Sequence, residues 1–328
     1  MHPAELISPT TRRKFLQRSV VAGASLSAAL AASTPQLGFS QQLNYQEQPT
    51  THWRIGLILT TPVTCTNVIA TFPVPTDWPE QKVTVRNQTT APQVTSSQIR
   101  ELPGGTKQAV LQMARVNAGS KVEVSVEVDI QRSWILPPDD TDSLAIPKRI
   151  PRDLKLYTGN SPYIDASHSS IRRAAKEVAA MEAENDWRRV ELAYDYVRDK
   201  VQYVEGDLKN ASQALKDGNG DCEEMTSLFV AICRNLKVPA RVVWIPDHCY
   251  PEFYLEDGDG NGAWYPCQAA GTRQFGRMEE IKPVLQKGDR FKVPEKKSPV
   301  RYVSEFFRCD RRGNGTPKPR FIREQFDV

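Results

Sequence analysis

Gly218-Asn219-Gly220-Asp221-Cys222-Glu223-Glu224 puts a cysteine on the first position of a helix. The two glycines permit positive φ and close backbone approach, Asp221 is a capping residue, and Glu224 three positions on completes an acidic capping box. Met225, Phe229, Ile232 and Leu236 then recur at helical spacing, with Leu228 widening the stripe, so the helix buries one face and Cys222 stands at its mouth. Unpaired N–H groups and the positive end of the helix dipole favour the thiolate there, which is the nucleophilic form. The competing reading of such a cysteine is a small buried core residue.

The stretch that follows decides between them. The helix ends before Pro239, and Ala240 to Ile245 is a strand by its β-branched content. His248 to Leu255 and Ala263 to Gln268 are two further extended runs, joined by the Asp/Gly-rich segment Glu256 to Gly262, which reads as a hairpin turn rather than a calcium loop. Centring the turn on Gly258 pairs His248 with Gln268 on one face and Cys249 with Cys267 on the other. A helix-start cysteine with a strand histidine beside an amide is the nucleophile, base and orienter arrangement of thiol acyl transfer. Cys249 and Cys267 are left as either a cross-strand disulfide or two buried thiols.

Gly220-Asp221-Cys222, the Leu228 to Arg234 helix, Val238-Pro239-Ala240-Arg241-Val242, His248-Cys249-Tyr250-Pro251-Glu252-Phe253-Tyr254 and Trp264-Tyr265-Pro266 together resemble the transglutaminase-like core. The family pattern is roughly GDC, a helix, GIPAR, HxWxEVY and a final strand ending in Asp. The resemblance implies an α+β, papain-like fold over residues 160–275, with Cys222 as nucleophile and His248 as base. It also implies acyl transfer or hydrolysis at an amide bond through a Cys thioester, without a cofactor or metal. Tyr203, Trp244 and Trp264 are secondary candidates for an oxyanion or substrate contact. The third family position falls on Gln268, where a neutral amide orients the ring but supplies no charge, and Asp221, Glu223 and Glu224 crowd the thiol with negative charge. The alternative is therefore a catalytically weakened or inactive scaffold that binds through the groove of the same fold.

Ahead of the core, residues 51–136 carry short β-type runs, the cleanest from Val122 to Ile130, and read as a small all-β sandwich. Residues 137–159 are a proline-rich connection, and helices are expected over about Ser169 to Ala183, Asp186 to Val201 and Ser212 to Lys216. Residues 276–328 are expected to pack on the core as an extension, with one strand at Arg301 to Phe307.

The N-terminus reads separately. Thr11-Arg12-Arg13-Lys14-Phe15-Leu16 and the apolar run Val20 to Leu30 resemble a twin-arginine export signal, with cleavage after Ala31 and a linker over 32–50. The expected location is periplasmic or otherwise extracytoplasmic. The 328-residue chain has a formal charge of +4, and residues 1–31 hold four of its 43 basic but one of its 39 acidic residues, leaving the rest close to neutral. The basic excess over 282–328 is scattered and lacks recognition motifs, so no nucleic-acid partner is expected. No run after the signal has the length of a membrane span. The expected partners are protein, peptide or cell-wall amide substrates.

Overall fold

The computed structural model describes residues 43–327. The export signal, its cleavage point and the linker as far as residue 42 lie outside the described residues.

The N-terminal half is a sandwich of two antiparallel sheets. Its strands are β1 (Asn44–Glu47), β2 (Thr51–Thr60), β3 (Thr64–Val74), β4 (Gln81–Thr90), β5 (Ser96–Glu101), β6 (Lys107–Val116) and β7 (Lys121–Leu136). Period-two alternation sends Val122, Val124, Val126, Val128 and Ile130 of β7 inward against Leu57, Leu59, Ala70, Leu111 and Met113.

The second half begins with α1 (Ser169–Ala179), α2 (Asp186–Lys200), β8 (Gln202–Tyr203), α3 (Ala211–Asp217), β9 (Asn219–Gly220) and α4 (Cys222–Asn235). It continues through β10 (Ala240–Ile245), β11 (His248–Glu256), β12 (Gly262–Gln268), β13 (Gln274–Phe275) and β14 (Gln286–Lys287). The last five form an antiparallel sheet in the order β13-β12-β11-β10-β14. α4 lies on its front face, where Leu228, Phe229 and Ile232 meet Val242, Phe253 and Tyr265. Burying each such side chain stabilises by about 1.5–3 kcal/mol. The helix ends in a Schellman turn, with Val238 N–H on the Cys233 carbonyl at 2.9 Å and Lys237 at φ 68.

Two strands close the chain, β15 (Phe306–Arg312) and β16 (Lys318–Phe326), and they correct the expected C-terminal extension. β15 pairs with β3 and β16 with β2, so each completes a sandwich sheet; only β14 adds to the sheet of the α+β half. Residues 301–305 lie ahead of the strand that was expected to begin there. The sandwich is thus discontinuous, with the α+β core inserted between β7 and β15.

The back of the sheet in the α+β half packs on the sandwich through Val243, Ile245 and Tyr250 against Ile135 of β7, with Met278 of the β13–β14 connection beside them. Buried charges cross the same junction. Lys287 Nζ lies 2.7 Å from Glu80 and 2.6 Å from Glu252, Arg241 lies 2.7 Å from Glu252, and Arg132 lies 3.4 Å from Glu80. Burial raises the cost of ionising Glu80, yet Lys287 and Arg132 hold its carboxyl down to about 2.

Candidate active site

The turn before α4 has the capping box that its sequence foretold. Asp221 accepts from the Glu223 and Glu224 N–H groups at 2.7 and 3.4 Å, and Glu224 accepts from the Asp221 N–H at 2.8 Å. Gly218 sits at φ 69 as the C-cap of α3. Gly220 is needed for a different reason: a Cβ there would stand 2.6 Å from Glu224 Cβ, inside the capping box. Cys222 follows, partly buried, as the first residue of α4.

His248 and Gln268 reach the same place from the sheet. His248 Nε2 is 2.9 Å from Gln268 Oε1, which leaves Nδ1 for the Cys222 sulfur that the ring also contacts. The backbone at this position is anchored in turn: the Gln268 main-chain carbonyl accepts from Tyr194 Oη at 2.8 Å and from Arg198 Nη1 at 3.2 Å. Tyr194 and Arg198 stand one turn apart on α2, a relation a single sequence does not connect to position 268.

The pairing behind this arrangement differs from the expected one. Glu252 faces Pro266 and Phe253 faces Tyr265, so β11 and β12 are slipped by two residues from the register centred on Gly258. A slip of two preserves which face each side chain occupies, so the His248–Gln268 contact survives. It removes Cys267 from its place opposite Cys249. Both are buried free thiols, Cys267 beside Cys233 and Cys249 against Cys222.

That contact sets the charge state. The Cys222 thiol falls from its ordinary 9.0 to about 5: the Cys249 side chain hydrogen-bonds to it, burial opposes, and the His248 hydrogen bond and charge with the Cys249 N–H complete the effect. Burial works against the His248 imidazolium, but the hydrogen bonds to Cys222 and Gln268 outweigh it and raise its pKa. The neighbouring acids are less hostile than their charges suggest. Burial, opposed by Arg301, lifts Glu223 to about 7, and burial and the contact with Asp221 raise Glu224.

The secondary candidates divide. Tyr203 is 53% exposed and pairs with Gly220, and its hydroxyl feels the Cys222 charge. Trp244 lies directly opposite Cys249, its indole N–H on the Gly288 carbonyl at 2.8 Å and its ring beside Arg301 at 5.6 Å. Arg301 Nε in turn lies 2.5 Å from Glu223 Oε1. Trp264, by contrast, is on the back of the sheet with Tyr157 and Tyr254, under the Arg241 guanidinium at 4.0 Å, and does not wall the site. Its neighbour Tyr265 packs on the α4 side, and period two sends Trp264 to the other. Asp247 occupies the two-residue β10–β11 turn at φ 58, with Arg323 feeling its charge, and takes no part in the Cys222 contacts.

The model of the transglutaminase-like superfamily matches residues 172–269, a span that opens on α1 and closes one residue after Gln268. This segment is a transglutaminase-like core. The core and the sandwich together align with a solved structure described as a "putative cysteine protease" from Cytophaga hutchinsonii, at a TM-score of 0.53 and 17% identity over 87% of this chain and 94% of that one. At that identity the likeness is one of fold. A second structure, a "putative protease" from Parabacteroides distasonis, overlaps at a TM-score of 0.27 with 10% identity over 66% of this chain and 47% of that one. No curated protein matches the sequence. The transglutaminase-like core places a Cys–His pair at its helix-to-sheet junction, and among the described residues no group of His, Cys, Asp or Glu has the geometry to hold a metal ion.

Proposed function

We propose that the chain is an exported cysteine hydrolase that cleaves amide bonds in peptides through a thioester on Cys222. The observation that carries the reading is the contact of His248 with both Cys222 and Gln268, at a sulfur whose pKa falls to about 5. The thiolate attacks the carbonyl carbon, and a C–S bond forms while the carbonyl electrons move to oxygen. The Cys222 N–H is a candidate donor to that oxyanion, because the Asp221 cap takes the Glu223 and Glu224 N–H groups instead; Tyr203 Oη is a second. Protonated His248 gives its proton to the leaving amine as the C–N bond breaks. It then takes a proton from water as the water oxygen bonds to the thioester carbon; the C–S bond breaks, Cys222 leaves as the thiolate and the carboxylic acid is released. Gln268 keeps the ring aligned throughout.

Export rests on Arg12-Arg13 and the apolar run behind them. Hydrolysis is favoured over amine transfer because water is always at hand and no amine-binding group stands out. The test is acid-quenched mass spectrometry of the mature protein mixed with a peptide-amide library. Acyl adducts on Cys222 that vanish in Cys222→Ala support the hydrolase. Peptide binding that is identical in wild type and Cys222→Ala, with no adduct, would establish the scaffold reading that Gln268 keeps alive.

A further inference from the structure

Cys65 and Cys309 lie outside the catalytic core and have no part in the reading above. Cys65 is fully buried near the start of β3, and Cys309 is partly exposed in the middle of β15. The two strands are antiparallel neighbours, with Arg311 opposite Cys65 and Arg308 opposite Ile69. In an unbroken ladder Cys309 would be a diagonal neighbour of Cys65, at a Cβ separation of roughly 7–8 Å. A disulfide needs roughly 3.5–4.5 Å.

A β-bulge changes that spacing. The register shifts between Arg308 and Asp310, where β3 carries the extra residue: Asn67, at a left-handed φ of 50, and Val68 together face the single residue Cys309. Both side chains turn into the sandwich core, and their sulfurs are in hydrogen-bonding contact. A polar bulge has other uses at a sheet edge, but one that brings two thiols together across strands remote in sequence has a covalent one.

We infer that Cys65 and Cys309 form a disulfide that ties the C-terminal strands to the sandwich. The oxidant is an external disulfide, either a small molecule or a thiol–disulfide oxidoreductase. The Cys309 thiolate, the more exposed of the pair, attacks one sulfur of the oxidant and expels a thiolate. The Cys65 sulfur then attacks the Cys309 sulfur of this mixed disulfide, forming the internal S–S bond and expelling the second thiolate. The oxidant is reduced by two electrons to two thiols, and the protons of Cys65 and Cys309 pass to the released thiolates or to solvent. The bond encloses the whole catalytic core within its ring. Such a ring restricts the unfolded chain far more than a short one, and it prevents β15 from peeling away while the insert between the two cysteines moves.

The experiment is non-reducing peptide mass spectrometry of the mature protein after equilibration with oxidised glutathione. Free thiols are capped under denaturing conditions before digestion. The expected result is one linked species joining the peptides of Cys65 and Cys309, with Cys222, Cys233, Cys249 and Cys267 capped. Dithiothreitol should remove the link and lower the thermal midpoint by about 5–10 °C, and Cys309→Ser should reproduce that shift and become insensitive to the reductant. Capping of Cys65 and Cys309 in the oxidised sample overturns the inference, as does a link joining either of them to any other cysteine. No activity is read, so the outcome is independent of whether Cys222 is a working nucleophile.

Discussion

Replacing His248 with Ala gives the sharpest test of the site, because it predicts effects of opposite sign at two pH values. In the wild type the Cys222 thiol titrates at about 5 against an ordinary 9.0. Removing the imidazole deletes a hydrogen bond and a positive charge but leaves the Cys249 S–H and N–H in place, so the midpoint moves upward without passing the ordinary value. Setting the mutant midpoint between about 8 and 9, its thiolate fraction at pH 6 falls by roughly 90- to 900-fold. A more basic thiolate is intrinsically more nucleophilic, with a Brønsted slope of about 0.45, which returns roughly 20- to 60-fold. The net expectation is iodoacetamide alkylation of Cys222 about 4- to 15-fold slower than wild type at pH 6, and about 20- to 50-fold faster at pH 9.5. The assay is initial-rate alkylation with peptide mass spectrometry to assign the site, on samples whose circular dichroism matches wild type. Rate profiles that coincide, or a mutant slower at both pH values, would refute a thiolate held by His248.

Three further outcomes follow from single contacts. Gln268→Glu puts a carboxylate where Oε1 stands 2.9 Å from His248 Nε2, and should raise the His248 pKa by about one unit or more; an unmoved alkaline limb in the alkylation or activity profile would show that position 268 does not hold the ring. Lys287→Met strands Glu80 and Glu252 in the domain junction and should cost about 3–5 kcal/mol in urea unfolding. Because Glu80 is depressed from 4.5 to about 2, its contribution is complete above pH 4.5 and lost as pH falls toward 2, so the wild-type midpoint should drop across that window and the mutant's should drop less; parallel slopes would argue against the pairing. Lys237 adopts φ 68 at the end of α4, where glycine carries no Cβ penalty, and Lys237→Gly should stabilise by about 0.5–1 kcal/mol. A loss in the urea midpoint would mean that the lysine side chain contributes more than its backbone costs.

The local chemistry of the site was legible because it is local. A capping box, a glycine that cannot carry a Cβ and an apolar stripe at helical spacing are all short-range consequences of residues 218–236, and they appear in the structure as they read in the chain. The His248–Gln268 contact was also legible, although its register was not. The turn permits a slip of two, and period two makes that slip invisible to face assignments while changing every direct partner. Trp264 illustrates the limit of the same reasoning, since its face follows from β12 but the position of α4 relative to that face does not follow from β12 alone.

By itself, then, the sequence determined which residue starts the helix, which residues form strands around it and that Cys222, His248 and Gln268 come together, since these depend on spacing along one stretch of chain. Only the tertiary structure decided that Cys249 hydrogen-bonds to Cys222, that Arg301 comes back to pair with Glu223, and that the last two strands belong to the first domain. Those contacts join segments separated by tens to hundreds of residues. Nothing in the local pattern of β2 or β3 says which remote strand will fill an open edge, because the backbone hydrogen bonds that close it are available to any strand of suitable length.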